Sequence, residues 1–405
     1  MTSEEMIGEL AKLVRIRSTV TVKDGEVIRN SYGEAAEAVA ELARRLGLEV
    51  EVLDLLDGEV PTVIASIPGE GPSIALISHY DVVPAGEKWV VDGLEMDPFD
   101  PQLVDGKLYG RGAADDKSAI VASLFALAEL KGEGAKLRYN PQVIVTGDEE
   151  VGGLGARALL DAGLKWDRVA ILDARADYLS VGASGVVHGW IEVEGKAGHA
   201  GYPHEAENAV ERLVELLHEL ISTYKPVRAS KVSRYRSPPG SPLVRVWGRF
   251  SITILRLGPG EPAKHNIIPG LALAGFDVRL VPEEDYEEAL AEFMSYFSRA
   301  VAKLGVRARL RITGGQRGWY STDEKFVKEA LSAVANAYRA VGEEWEPMTA
   351  AELGGNDGTF FFQRGMPVVS FGAMRPENRV HGEGEFVYTR DVVLLKEFVK
   401  YLLRT

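Results

Sequence analysis

Five short, almost wholly apolar runs at residues 62–67, 73–78, 142–146, 168–172 and 367–371 constrain this chain more than any other feature of its sequence. Each is too short for a helix and too uniformly apolar for a strand with one wet face. Each is therefore expected to be a buried parallel strand. Helical patterns at residues 118–131 and 154–162 lie between them, so strand and helix alternate as in an α/β domain with a mainly parallel sheet covered by helices. A capped helix is expected from Thr2 or Ser3 to about Arg15, and a second over residues 32–46, closed by Gly47.

After about Ser184 the pattern changes. Strand-like residues 186–194, helix-like 208–224, strand-like 244–257 and 271–280, helix-like 283–304 and strand-like 307–313 form a β-α-β-β-α-β series, an α+β unit of ferredoxin-like type. The α/β texture then resumes, with helices over residues 323–341 and 390–403. The expected organisation is a catalytic domain of residues 1–183 and 315–405, interrupted by an inserted domain of residues 184–314.

Composition removes several function classes. Against 60 Asp and Glu there are 46 Lys and Arg, a formal charge of -14, which lacks the basic footprint that nucleic-acid binding needs. There are no cysteines, so disulfides and thiol nucleophiles are excluded and any metal must be held by nitrogen and oxygen. No stretch approaches the roughly 18 apolar residues of a membrane span. The first residues, MTSEEMIGELAKLVRIRS, carry acids at helical spacing rather than a basic start and an apolar run, so no signal peptide and a cytoplasmic location are expected.

The residues that end the apolar runs carry chemistry. His79 and Asp81 follow the second run, Asp148, Glu149 and Glu150 follow the third, and Asp173 follows the fourth. Ligands of open α/β sheets collect at this edge. In His-x-Asp the carboxylate can hold one imidazole nitrogen and leave the other for a metal. The segment GRGAADDKS, residues 110–118, places Asp115 at the start of a helix. Ionised carboxylates about 4 Å apart repel by roughly 4 kcal/mol per pair at an effective dielectric near 20, so the cluster calls for a cation or protonation. A dinucleotide loop is excluded because Asp115 occupies the third glycine position of GxGxxG. No Walker motif is present, and Gly182-Ala183-Ser184-Gly185 lacks the spacing of a nucleophile elbow.

Five motifs occur in the order found in one metallohydrolase family: HYD at residues 79–81, GRGAADDK at 110–117, TGDEEVGG at 146–153, GKAGHAGYPH at 195–204 and HGEGEF at 381–386. Over nearly its whole length the chain resembles the family of acetylornithine deacetylase, succinyl-diaminopimelate desuccinylase, aminoacylase and glutamate carboxypeptidase. The resemblance implies two divalent metal ions per subunit, with zinc favoured and cobalt or manganese able to fill the same sites. It makes His79 and Asp173 ligands of one metal, Glu150 and His381 ligands of the other, and Asp115 the bridge. Asp81 would orient His79, and Glu149 would be the general base. His199 would stabilise the oxyanion, often delivered in this family from the neighbouring subunit of a homodimer joined through the inserted lid domain. Asn266 and Arg279 match positions that hold a substrate carboxylate, and Gly355 and Asn356 lie in the glycine-rich specificity loop.

Three positions qualify the resemblance, Ala206 for domain-closure geometry and the other two for the substrate. Ala206 stands where relatives commonly have glycine, and Thr359 stands where the desuccinylase and acetylornithine enzymes tend to have arginine. Asp at position 173, rather than Glu, leans toward dipeptidase, aminopeptidase and aminoacylase relatives. The expected activity is hydrolysis of the amide bond of a dipeptide, short peptide or N-acyl amino acid, with dipeptidase or carboxypeptidase favoured over an acetylornithine or succinyl-diaminopimelate deacylase. A non-catalytic metal-dependent binding protein on the same scaffold is the alternative from another class. Loss of Glu149 or a ligand would signal it, and none is lost. His188, His204, His218 and His265 are assigned no metal.

Overall fold

The apolar runs form neighbouring strands. In a computed structural model, which describes residues 2–23, 25–91 and 93–405, their sheet runs in the order Leu179–Ala183, Val368–Ser370, Arg168–Ile171, Ser73–His79, Asn140–Thr146, Val60–Ser66, Glu49–Leu55. Ser73–His79 pairs in parallel with both Asn140–Thr146 and Arg168–Ile171, and Arg168–Ile171 pairs in parallel with Val368–Ser370. Six of the seven residues of Ser73–His79 are buried, as expected of a strand covered on both faces.

The run at residues 62–67 departs from expectation. It is a buried strand, Val60–Ser66, but it is antiparallel to Asn140–Thr146 and to Glu49–Leu55. A strand covered on both faces reads as a continuous apolar run in either direction, so its burial pattern carries no information about polarity. The sheet is therefore mixed, with a parallel centre and antiparallel flanks, and the α/β class holds.

Two compact units divide the chain. The first comprises Met1–Val181, Ser321–Ala350 and Asn356–Thr405, the second Gly182–Tyr320 and Ala351–Gly355. In the first, helix Lys117–Gly132 is apolar on every side and buried along almost its whole length. It packs against helices Ser3–Arg15 and Thr389–Leu403 and against strand Ser73–His79. Glu129 accepts hydrogen bonds from Lys396 at 2.7 Å and Lys400 at 2.6 Å, which pins the C-terminal helix to it. Helix Ser3–Arg15 starts with a capping box: the Thr2 hydroxyl accepts the Glu5 amide, and the Glu5 carboxylate accepts the Thr2 amide.

The second unit holds a four-stranded antiparallel sheet in the order Arg249–Leu257, Leu271–Leu280, Gly185–Glu194, Arg307–Gln316. Helices Ala209–Ser230 and Tyr286–Leu304 join its core, where Leu213, Leu216, Leu220, Phe293 and Phe297 meet Val187, Ile191, Phe250, Phe276 and Val278 of the strands. Alternate strand residues supply that core, as the period of two requires. Asn208 and Asp285 cap the two helices by accepting the amides of their first turns. Among the described residues no helix is long and apolar enough to cross a membrane.

Candidate metal centre and active site

His79 is the last residue of its strand and stands in register with Thr146, the last residue of the next. Carboxylates that follow the neighbouring strands therefore arrive beside its ring. His79 Nε2 lies 3.1 Å from Asp115 Oδ1 and 3.9 Å from Asp173 Oδ2. His381 Nε2 lies 3.0 Å from Asp115 Oδ2 and 3.0 Å from each carboxylate oxygen of Glu150. Two groups result, His79/Asp115/Asp173 and Asp115/Glu150/His381, each with its potential ligand atoms within 4.8 Å of one another. Asp115 belongs to both, one oxygen toward each histidine.

Asp81 determines which imidazole nitrogen of His79 faces that cluster. The ring's Nδ1 lies 3.0 Å from the Asp81 carbonyl oxygen and 3.3 Å from its carboxylate, which leaves Nε2 toward Asp115. The same carboxylate accepts the amide of Glu149 at 3.3 Å and that of Glu150 at 3.1 Å. One buried side chain thus orients a candidate ligand and the turn that carries the candidate base.

That turn needs unusual backbone. Asp148 has φ of 67°, and its carboxylate is held by the Arg29 guanidinium at 2.6 Å and the Tyr32 hydroxyl at 2.9 Å. At Gly147 a Cβ would come within 2.9 Å of the rings of Tyr32 and Tyr80, so only glycine fits the strand end.

The electrostatics are those of a cluster short of positive charge. Burial and the Asp115 carboxylate push Asp173 well above the ordinary carboxylate range, and the same two influences raise Glu150. Burial and the nearby Asp357 push Glu149 well above it. Burial opposes a charged His79, yet its bonds to Asp115 and Asp81 lift it well above the usual imidazole value. Bonds to Asp115 and Glu150 push His381 up to about 10. Imidazole nitrogen and carboxylate oxygen, with no thiolate, suit divalent zinc, cobalt or manganese, and a cation would supply the charge that protons otherwise provide. The residues fit two such ions sharing Asp115.

The model of peptidase family M20/M25/M40 matches residues 75–405. The chain belongs to this family. The five motifs pointed to it, and membership makes the protein a hydrolase of the metallopeptidase and amidohydrolase kind. Among curated proteins it is similar to succinyl-diaminopimelate desuccinylases. That of Alkalilimnicola ehrlichii is 28% identical over 411 aligned residues, 98% of each chain. That of Methylobacterium radiotolerans is 30% identical over 357, covering 84% of this chain and 83% of its own. Solved structures share the fold at lower identity. The M20 family metallo-carboxypeptidase Sso-CP2 from Sulfolobus solfataricus matches with a TM-score of 0.77 at 18% identity over 98% of each chain. The dipeptidase Dug1p from Saccharomyces cerevisiae matches at 0.75 and 18%, over 98% of this chain and 95% of its own. A dinuclear metal binding peptidase from the M20 family of Bacillus subtilis matches at 0.64 and 16%, over 98% of each.

In this M20 chain the second unit carries His199, Asn266, Arg279 and Gly355. His199 is exposed, and its Nδ1 accepts the Gly201 amide at 3.0 Å, so the ring proton sits on Nε2. Asn266 lies beside it, its carbonyl accepting the Ala200 amide at 3.0 Å. Arg279 donates through Nε to Asp277 at 2.9 Å. Directly opposite, on the neighbouring strand, stands Arg249. No carboxylate among the described residues lies within ion-pair distance of Arg249, and burial together with Arg279 lowers its pKa to about 10. At Gly355 a Cβ would collide with the Gln316 side chain. Asn356, in the first unit, is buried, with Oδ1 accepting the Gly358 amide at 3.1 Å and Nδ2 donating to Ser370 Oγ at 3.3 Å.

Sequence reasoning missed Arg29, Tyr32, Asp357 and Glu385 around the metal groups, and Arg249 beside Arg279. Asp357 directly follows Gly355 and Asn356 of the glycine-rich loop and Glu385 lies inside HGEGEF, so an acid in either was the available signal.

Proposed function

We propose that this chain hydrolyses the amide bond of a dipeptide, a short peptide or an N-acyl amino acid, with dipeptidase or carboxypeptidase activity favoured. The observation that carries this reading is the pair of His/carboxylate groups sharing Asp115, with Glu149 on the turn that also bears Glu150. In the proposed centre His79 and Asp173 would hold one metal and Glu150 and His381 the other, with Asp115 available to both. Two divalent ions, when bound, would supply Lewis-acid polarisation of a scissile carbonyl and would lower the pKa of a water from 15.7 toward about 7. Glu149 then removes the attacking water's proton as its oxygen bonds to the carbonyl carbon, and hands that proton to the nitrogen as the C–N bond breaks. A carboxylic acid and an amine leave. Burial near Asp357 raises the proton affinity of Glu149, which suits a carboxylate that must accept a proton from water before donating it.

His199, with its ring proton on Nε2, has the tautomer that donates to a developing oxyanion. We assign it that role, delivered to the partner subunit of a homodimer through the second unit. Exposed apolar residues on that unit's edge strand, Ile254 at 47% and Leu255 at 64% exposure, support such an interface. Asn266 and Arg279 are assigned to a substrate carboxylate. The unpaired charge of Arg249 opposite Arg279 supports an anionic group there, because like charges directly across a strand pair are otherwise unfavourable. Gly355 and Asn356 shape the specificity loop.

The curated relatives favour a second reading, desuccinylation. Against it stands Thr359, fully buried where those enzymes tend to have arginine, which leaves no guanidinium at that position for a succinyl carboxylate. The discriminating experiment is release of primary amine from dipeptides, N-acetyl amino acids and N-succinyl-diaminopimelate by chelator-stripped protein given zinc or cobalt. Turnover of dipeptides above the two deacylase substrates supports the proposal. Preference for the succinyl substrate would replace it with the second reading.

A further inference from the structure

Glu385 is fully buried, yet it is an acid set close to Asp115, the carboxylate common to both metal groups. It directly precedes strand Phe386–Tyr388, which pairs with Lys107–Tyr109, the strand from which the Asp115 loop departs. Its Oε1 accepts three backbone amides of that loop: Gly112 at 3.1 Å, Ala114 at 3.1 Å and Asp115 itself at 3.3 Å. Its Oε2 accepts a close bond from the buried guanidinium of Arg111, whose second nitrogen donates at 3.2 Å to the carbonyl of Gly382, the residue after His381. Burying a carboxylate beside Asp115 costs free energy that an apolar residue would not, and such departures from ordinary core composition concentrate at functional sites. Charge-assisted bonds to three amides of one loop give that cost a use, because they fix where the loop carries Asp115.

We infer that Glu385 is a positioning residue of the metal centre, holding the loop that presents Asp115 and, through Arg111, tying it to the loop that presents His381. This rests on the reading of Asp115 and His381 as ligands given above. The pair Glu385–Arg111 acts on Asp115 at the point where both metals would meet, so its loss is felt in metal affinity and in coordination geometry.

The test is titration of chelator-stripped protein with cobalt chloride alone, followed by visible absorption, for the wild type, Glu385→Gln, Arg111→Gln and the double variant. Glu385→Gln keeps an oxygen for the amides but sets an amide NH2 against Arg111. Cobalt affinity is expected to fall about 10- to 100-fold and the absorption band to change. In the double variant the side-chain carbonyl introduced at position 111 can accept from the side-chain amide introduced at position 385, which removes the clash but not the lost Gly382 tether, so affinity is expected to return from the level of Glu385→Gln to that of Arg111→Gln. Arg111→Gln alone leaves the three amide bonds in place and keeps the experiment decisive where Glu385→Gln is poorly folded: it loses the Gly382 tether, and weaker cobalt binding is expected. Wild-type isotherms and spectra in both single variants, even with lowered melting temperatures, would overturn the inference and leave the proposed function standing. A wild type that binds no cobalt would overturn both.

Discussion

Asp81 faces two ways: its carboxylate stands beside Nδ1 of His79 and accepts the amides of Glu149 and Glu150. Asp81→Asn keeps the size but turns one acceptor into a donor, which opposes either the imidazole or an amide. We expect kcat to fall about 10- to 100-fold, with KM changed little, in steady-state assays of the metal-loaded enzyme. At the proposed carboxylate grip the split is reversed. Arg279→Met removes a charge-assisted bond of about 1.5–3 kcal/mol, so KM should rise roughly 10- to 100-fold while kcat stays within a few-fold. Most of the five candidate ligands stand where an apolar run ends or a helix opens, and it is the resemblance of their motifs that singles them out in the sequence. Their supports could not be picked out in this way. Arg29 and Asp148 are 119 residues apart, Arg111 and Glu385 are 274 apart, and no local pattern encodes such a meeting.

Among the elements, those whose burial leaves a periodic trace were legible, and those defined by pairing partner were not. Helix Tyr286–Leu304 and strand Leu271–Leu280 could be drawn from spacing alone, whereas the direction of Val60–Ser66 depends on which neighbour it finds. Strand Glu49–Leu55 has period-two alternation in EVEVLDL, which a search for continuous apolar runs passes over. The tie between helices Lys117–Gly132 and Thr389–Leu403 yields a pH prediction. Burial would raise Glu129, but the bonds from Lys396 and Lys400 outweigh it and hold its pKa below the ordinary 4.5. A carboxylate depressed in the folded state adds stability above its unfolded pKa, and that contribution is lost as pH falls through the folded value. Glu129→Gln should therefore cost roughly 1 kcal/mol at neutral pH. In thermal melts the gap from wild type should narrow as the pH is lowered through about 4 and below.

For the whole molecule, the division of labour follows from what the sheet edge collects. A cluster that holds His79 and His381 in proton-retaining surroundings must surrender protons to bind a cation. Metal binding by the stripped protein should release protons and weaken as pH falls. Calorimetry in two buffers of different ionisation enthalpy checks this, and binding without proton release would count against both histidines as ligands. The family was legible because five motifs spaced along the whole chain occur in its order, and the acids and histidines of the first unit's motifs meet at one edge of its sheet. Substrate preference was less so, since it turns on what Arg249, Arg279 and Thr359 meet in three dimensions. The most direct test of the two-metal reading is amide turnover against equivalents of zinc added to stripped protein, in the wild type and in Glu149→Gln. Activity should rise from none and level off at two equivalents in the wild type, while Glu149→Gln binds the same zinc and stays about 1,000-fold or more slower. Turnover that needs no metal, or that survives the loss of Glu149, would contradict it.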